Sequence, residues 1–345
     1  MPVNRNGHLL HLHIIVFIWG FSAILGKMIT VNAVSIVAYR MGLAVLGLAL
    51  WVALSQKRKK KEGQLTPEAP TLPLEPKPGQ NLAVESQDST TPSAQPKSRK
   101  VTSAMRIKFV LAGLLIGLHW ITFFGAIKVS NVAVCLAMMS TGSLFTSIIN
   151  PLYNKKQPVY YEILLGLCVA ATLFYVFQVE GDYWWGVALG LVSASMSALF
   201  AVINADWVQH YPADRISLWE LAGGASLVIV ILLVLPLFGL DYDFLTLAAP
   251  TALTAMDWLW LGLLAGLCTS YAFVASTHVM KWLSPFTVML TINLEPVYGI
   301  LLAWIIFGES ETMTPTFYYG AIAILAVLII NGYLKQRDRK RMAAG

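Results

Sequence analysis

Charged residues are scarce in this sequence. Only 12% of its 345 residues are Asp, Glu, Lys or Arg, whereas about a quarter is usual in soluble domains. Hydrophobic residues make up 57% of the chain, and the mean hydropathy is +0.66. This composition excludes an ordinary soluble domain and indicates an integral membrane protein.

Cysteine is also scarce. The three cysteines, Cys135, Cys168 and Cys268, all lie in apolar segments, so the sequence offers no disulfide framework. Their spacing does not match a metal-binding motif. We therefore expect neither a metal site nor a cofactor, and we assign these cysteines to packing.

Long apolar runs are abundant, and they lack the alternation of membrane β-strands. A helix needs about 20 apolar residues to cross a hydrocarbon core of about 30 Å. By that measure the sequence predicts an all-α integral membrane fold with ten transmembrane helices. The predicted spans are 8–28, 34–54, 105–127, 131–153, 159–179, 184–204, 216–238, 256–278, 285–307 and 316–334.

The basic residues predict the orientation. Most of the 24 Lys and Arg residues fall at the termini and in alternate loops, including "QKRKKK" at 56–61. The positive-inside rule then places both termini in the cytoplasm of a multi-pass protein of the cell (inner) membrane. The net charge of +6 follows from this bias, so no nucleic-acid partner is needed to explain it.

One segment lacks aromatic residues altogether. Residues 62–98 are rich in Pro, Thr, Ser, Gln and Glu, and this composition predicts a disordered cytoplasmic insert. Its prolines leave open the alternative that it recruits a partner domain. A second polar segment, 335–345, is predicted to be a basic cytoplasmic tail.

An internal repeat is visible when residues 294–309 are laid over 140–155, because the same offset places Gly320 on Gly166. Basic residues follow the fourth span, whereas acidic residues follow the ninth. Opposite charges at matching places are expected if the two halves are inverted in the membrane. We predict two inverted five-helix repeats, 1–179 and 180–334.

Glu295 and Pro296 interrupt the ninth span. Counting from Pro285, Glu295 lies about 15 Å into the membrane, near its midplane, where a carboxylate is expected to face a polar cavity. Pro296 lacks an N–H and should kink the helix, freeing a carbonyl near Ile292. The alternative is a structural glutamate that is hydrogen-bonded to a neighbouring helix.

Further polar and aromatic residues within the spans are candidates for substrate binding or coupling. Arg40 is the candidate partner for a substrate carboxylate, although a long side chain near a helix end can also extend to the interface. The side chains of Glu220 and His278, near the cytoplasmic ends of their spans, are expected to extend to the interface in this way. The remaining candidates are Trp19, Ser22, His119, Trp120, Ser140, Thr141, Tyr271, Asn293 and Tyr298.

The chain resembles the EamA-like family of the drug/metabolite transporter superfamily. The similar segments are "WGFSAILGK" (19–27), "AYRMGLAVL" (38–46), "AIKVSNVAV" (126–134), "TSYAF" (269–273) and the "LEP" of 294–296 with the later "GE" of 308–309. The resemblance implies ten helices in two repeats. It also implies a secondary transporter, often an exporter, of small metabolites such as amino acids.

The expected function is alternating-access transport around a midplane cavity. No Lys or Arg lies near the centre of a span, so a small neutral, zwitterionic or cationic substrate is favoured, above all one like an amino acid. The expected partners are this substrate, membrane lipids and, as candidate coupling ion, protons. No catalytic residue is expected; the alternative is an integral-membrane enzyme acting on a lipid-linked or amphipathic substrate.

Overall fold

The computed structural model describes residues 5–65, 99–130, 132–177, 184–238, 246–307 and 315–344. These residues form α-helices and no β-strand. The helices are α1 (Arg5–Met28), α2 (Ala33–Leu65), α3 (Ser103–Val129), α4 (Val132–Met139), α5 (Gly142–Asn154), α6 (Tyr160–Phe177), α7 (Trp184–Trp207), α8 (Ala213–Val234), α9 (Ala255–Leu263), α10 (Ala272–Val279), α11 (Pro285–Ile292), α12 (Glu295–Phe307) and α13 (Pro315–Ala344). A π-helical segment, Leu264–Tyr271, joins α9 to α10.

The prediction of an all-α membrane protein is confirmed for these residues. Six helical segments are long and apolar enough to cross a membrane: Asn6–Gly26, Val34–Lys57, Ser103–Phe123, Trp184–Trp207, Ala213–Val234 and Ala255–Val279. The chain is therefore a multi-pass membrane protein in its architecture. The count of ten spans remains a prediction.

Two of the predicted spans are interrupted. Each of 131–153 and 285–307 contains a helix of 8 residues followed by a helix of 13, namely α4 and α5, and α11 and α12. The breaks fall at residues 140–141 and 293–294. Neither half is long enough to cross a membrane by itself, which is why these segments are not among the six.

The second break has a local cause in Pro296. This residue is the second of α12, and a proline without an N–H is tolerated in the first turn of a helix but not in its interior. The helix therefore ends at Ile292 and begins again at Glu295. Between them, the Asn293 and Leu294 N–H groups donate to carbonyls three residues earlier, at 3.3 and 3.0 Å.

The first break has a different local cause. Thr141 donates both its N–H and its hydroxyl to the Met138 carbonyl, at 3.0 and 2.6 Å. A threonine side chain that bonds its own backbone competes with the regular helical pattern. Gly142, a weak helix former, follows at once and begins α5.

Long helices enclose these broken ones. α1 packs against α11 and α12, and α7 packs against α4 and α5. α3 contacts α7 and α8, while α2 contacts α8, α9 and the π-helical segment. α6 lies against α13, and α5 lies against α11.

The contact between α3 and α8 is especially close, because glycines face the opposing backbone. A side chain at Gly113 would overlap the backbone of Glu220, and one at Gly223 would overlap that of Val110. This approach buries Glu220 completely, with 0% of the residue exposed. The prediction that Glu220 extends to the interface is wrong, since its side chain is inside the bundle.

The predicted insert begins within a helix. α2 continues to Leu65, so residues 62–65 are helical, and the rest of the segment, 66–98, lies outside the described residues.

Candidate functional site

The two helix breaks meet inside the bundle. Asn293, at the second break, donates from Nδ2 to the hydroxyl of Ser143, one residue into α5, at 3.3 Å. Both residues are buried, with 5% and 0% exposure. A hydrogen bond between residues 150 positions apart thus joins the two segments that the repeat pattern had paired.

Close packing reinforces this contact. A side chain at Gly142, the first residue of α5, would lie 2.7 Å from the terminal methyl group of Met289 on α11. The absence of a side chain at Gly142 therefore lets α11 approach the first break. Thr146 is also buried there, and its hydroxyl donates to the Gly142 carbonyl at 2.7 Å.

The predicted hydroxyls Ser140 and Thr141 lie at the first break itself. Ser140 is buried, and its carbonyl accepts from the hydroxyl of Ser143 at 3.3 Å. Ser143 thus connects Ser140 to Asn293. Sequence reasoning missed Ser143, although its place beside two candidate residues was the available signal.

Glu295 opens α12 and is only half-buried. Within the described residues its carboxylate accepts no hydrogen bond and forms no ion pair. The first turn of a helix has unpaired N–H groups and a positive dipole end, both of which favour a negative charge. A carboxylate held there without a partner is available to a ligand.

Arg40 of α2 is turned inward, with 8% exposure. Its Nε donates to the hydroxyl of Thr269, and its guanidinium lies 4.6 Å from the centre of the Trp120 ring. Arg40 and Glu295 are near enough to interact electrostatically, although they form no direct ion pair. The terminal nitrogens of Arg40 donate no hydrogen bond within the described residues.

Thr269, the partner of Arg40, belongs to the π-helical segment. Its hydroxyl also donates to the Leu264 carbonyl, five residues earlier, at 2.8 Å. Such bulges often occur at functional sites, because they shift side chains out of the regular helical register. Sequence reasoning missed Thr269, since a π-helical turn has no clear sequence signature.

His119 connects α3 to α7. Its Nδ1 lies 2.8 Å from the Ser193 hydroxyl and 3.0 Å from the Ser193 carbonyl, which can only accept. Nδ1 therefore carries a proton, and the Ser193 hydroxyl in turn donates to the His119 carbonyl at 2.9 Å. These reciprocal bonds make His119 a link between helices beside Trp120.

Trp19 and Ser22 of α1 lie against the π-helical segment. The indole N–H of Trp19 donates to the Cys268 carbonyl at 3.0 Å, a bond that the extra turn residue makes accessible. The hydroxyl of Ser22 is buried beside the Cys268 thiol.

The two candidate tyrosines are held by histidines of α1. Tyr298 shares a hydrogen bond of 3.0 Å with Nδ1 of His13, and Tyr271 shares one of 3.0 Å with Nε2 of His11. Tyr271 is 45% exposed, and its contacts run to His11 rather than to the helix breaks. The structure thus places Tyr298 in the α1–α12 contact and leaves Tyr271 at the margin.

A groove of about 540 Å³ lies elsewhere, between α6 and α13. None of the predicted site residues lines it. Its walls are mostly apolar or aromatic: Ala171, Thr172, Tyr175, Thr316, Tyr319, Gly320 and Ala323.

Comparison with known proteins identifies the fold but no family. The sequence matches no protein-family model and no curated protein. A crystal structure described only as that of a protein is similar over 97% of this chain and 99% of its own, with a TM-score of 0.67 and 12% sequence identity. At that identity the likeness concerns the fold alone.

The site as a whole combines opposite charges with hydroxyl and amide groups. A guanidinium with free terminal nitrogens lies near a carboxylate without a partner, and Asn293, Ser143 and Ser140 line the adjoining breaks. Such a site can bind a small molecule that carries both charges.

Proposed function

We propose that this protein is a secondary active transporter of a small metabolite, with an amino-acid-like substrate favoured. The observation that carries the proposal is the meeting of two broken helices, joined by Asn293 and Ser143, beside the unpartnered carboxylate of Glu295. Discontinuous helices that meet within a bundle are typical of the substrate sites of secondary transporters, because their exposed ends supply polar backbone groups.

The proposal includes ten transmembrane helices in two inverted repeats. The broken pairs support it, since each consists of 8 residues followed by 13 and their breaks coincide within one residue in the overlay of 294–309 on 140–155. The contacts support it as well. In the proposed repeats α1 corresponds to α7, and α5 corresponds to α12. The contact between α1 and α12 in the structure is therefore matched by the contact between α7 and α5.

Membership of the EamA-like family is part of the same proposal and rests on the sequence segments that resemble it. Exchange between conformations would proceed by movement of one repeat against the other around the helix breaks. Export across the inner membrane, with both termini in the cytoplasm and protons as the coupling ion, is the proposed direction and energy source.

The substrate class follows from the charges at the site. Arg40 can pair with a carboxylate through its free terminal nitrogens, and Glu295 can pair with an ammonium group. Because the two side chains do not pair with each other, a zwitterion would satisfy both at once. A sugar phosphate would place at least two negative charges near Glu295 with only Arg40 to offset them.

Counterflow in proteoliposomes tests this proposal. Purified protein is reconstituted and loaded with matched panels of amino acids, amines and sugar phosphates. We expect saturable exchange of an amino acid or a close relative. Exchange of a sugar phosphate alone would contradict the proposed substrate class, and no exchange of any compound would contradict transport.

Paired variants connect the activity to the site. Arg40→Lys keeps the charge but loses the forked geometry, so we expect weaker substrate binding by roughly tenfold. Arg106→Lys is the matched control, because Arg106 also lies over a tryptophan ring, that of Trp219 at 5.5 Å, but is exposed and outside the site. Equal effects of the two substitutions would argue against a substrate contact at Arg40.

A further inference from the structure

A second cluster of polar side chains is buried between α7 and α8. Asn204 of α7 and Ser217 and Glu220 of α8 are each 0% exposed. The Asn204 Nδ2 donates to Oε2 of Glu220 at 3.3 Å. Ser217 lies three residues before Glu220 on the same helix, so the two side chains share one face.

Three oxygens in this cluster have no hydrogen-bond partner within the described residues. They are Oδ1 of Asn204, Oγ of Ser217 and Oε1 of Glu220. Leaving a buried polar atom without a partner is energetically costly, so three such atoms in neighbouring side chains require an explanation. No cationic side chain pairs with Glu220 in the described part of the chain.

Ser217 differs from other buried hydroxyls of the bundle. Ser276 and Thr291 donate to carbonyls of their own helices, three or four residues earlier, at 2.9 and 2.8 Å. Such bonds satisfy the hydroxyl locally and are the usual arrangement in apolar surroundings. Ser217 makes none, so its oxygen remains available within the cluster.

We propose that Asn204, Ser217 and Glu220 form a binding site for a small monovalent cation of the Na⁺ class. All three unpartnered atoms are oxygens, the ligands that hard cations prefer. The single carboxylate supplies one negative charge, which one monovalent cation neutralises, whereas a divalent cation would leave a buried positive charge.

A proton is the simpler alternative occupant. Protonating Glu220 would remove its charge, but the single new donor could satisfy only one neighbouring oxygen. A cation can be coordinated by several oxygens at once, and this favours the cation. The inference concerns ion binding and does not depend on transport by the chain.

The test is thermal unfolding of the purified full-length protein in detergent. NaCl is replaced stepwise by choline chloride at constant ionic strength and pH, and KCl is examined in parallel. A ligand that binds the folded state raises the unfolding temperature with concentration, so we expect a saturable rise with Na⁺ that choline does not produce. A wild-type protein indifferent to Na⁺ and K⁺ would overturn the proposal.

Variants locate the effect. We expect Glu220→Gln to abolish the rise, and Ser217→Ala to increase the half-saturating Na⁺ concentration by roughly tenfold, through loss of one ligand. Ser226→Ala is the matched control on α8, because the exposed Ser226 donates to its own helix, to Gly223 at 2.7 Å.

Two outcomes would exclude the site even if the wild type responds to Na⁺. One is a half-saturating Na⁺ concentration that is unchanged in Ser217→Ala. This variant still tests the site if Glu220→Gln does not fold. The other is stabilisation that depends on pH but not on Na⁺ and disappears in Glu220→Gln, since this would assign a proton to Glu220 in place of the cation.

Discussion

Two regions of the bundle hold charged side chains in opposite ways. The ammonium group of Lys335 on α13 lies 3.0 Å from the Glu162 carboxylate of α6. It also donates to the hydroxyl of Ser284, just before α11, and to that of Thr287 within α11. We call these four residues the Lys335 cluster. Arg40 and Glu295, in contrast, share a neighbourhood without forming an ion pair.

The difference is between charged groups that stabilise the fold and charged groups that are available to bind a ligand. In the Lys335 cluster each charged group meets a partner, and the cluster connects three helices. A buried ion pair whose groups are all bonded holds one geometry, and removing one partner leaves the other charge exposed to an apolar interior. An unpartnered charge gains most from a ligand that supplies the missing partner.

One helix joins the two regions. α11 begins beside the Lys335 cluster at Pro285 and ends at Ile292, next to Asn293 and the helix breaks. A change in the hydrogen bonds at one end can therefore alter the position of the other. The comparison predicts that substitutions in the Lys335 cluster affect stability, whereas those around Glu295 affect function.

The largest expected effect is on stability. Lys335→Met should lower the free energy of unfolding by about 3 kcal/mol, because the buried Glu162 carboxylate would lose its ion-pair partner. Denaturant titration of the purified protein measures this loss. Lys340→Met, at an exposed position of the same helix, is the control and should change little. Equal stability of Lys335→Met and wild type would remove the distinction between the two regions.

The next effect is on transport. Glu295→Gln should reduce counterflow by roughly 10- to 100-fold, because a charged hydrogen-bond acceptor for the substrate is lost. Its unfolding temperature should fall less than that of Glu162→Gln, since the Glu295 carboxylate accepts no hydrogen bond and forms no ion pair within the described residues. Glu162→Gln is the contrasting variant, with lower stability expected. A Glu295→Gln protein that exchanges substrate at the wild-type rate would refute the proposed substrate contact at Glu295.

A smaller effect is expected at the contact between the breaks. Asn293→Ala removes the bond to Ser143 and should slow counterflow roughly fivefold, the equivalent of about 1 kcal/mol. Ser143→Ala should do the same, and the double variant should add little, since both remove one bond. Ser195→Ala, whose hydroxyl bonds its own helix, is the control. Fully additive effects would show that the bond does not act as a unit.

The smallest effect concerns the segment outside both regions. Deleting residues 66–98 while keeping Lys57–Lys61 should leave membrane insertion, stability and counterflow nearly unchanged, because the composition predicts no packed core there. Comparing counterflow rates of the deleted and full chains measures this. Labelling of a cysteine introduced at Ser86 from outside intact cells would contradict the cytoplasmic orientation.

Much of the architecture was predictable from local properties. Long apolar runs predict helices, since a helix satisfies its own backbone in lipid. The interruption near Ile292 followed from Pro296, whose missing N–H acts on its own turn. Asn293, Ser140 and Thr141 were identified as candidates because polar residues within apolar spans are few, and the structure brings them to the two breaks.

The sequence by itself therefore determined the helical architecture, the apolar character of its helices and the interruption at Pro296. Only the tertiary structure decided which polar groups meet. It turned Arg40 inward to Thr269, 229 positions away, and buried Glu220 with Asn204 instead of directing it to the interface. Hydropathy and helix-breaking act over a few neighbouring residues, whereas the partner of a buried side chain depends on which distant helix packs against it.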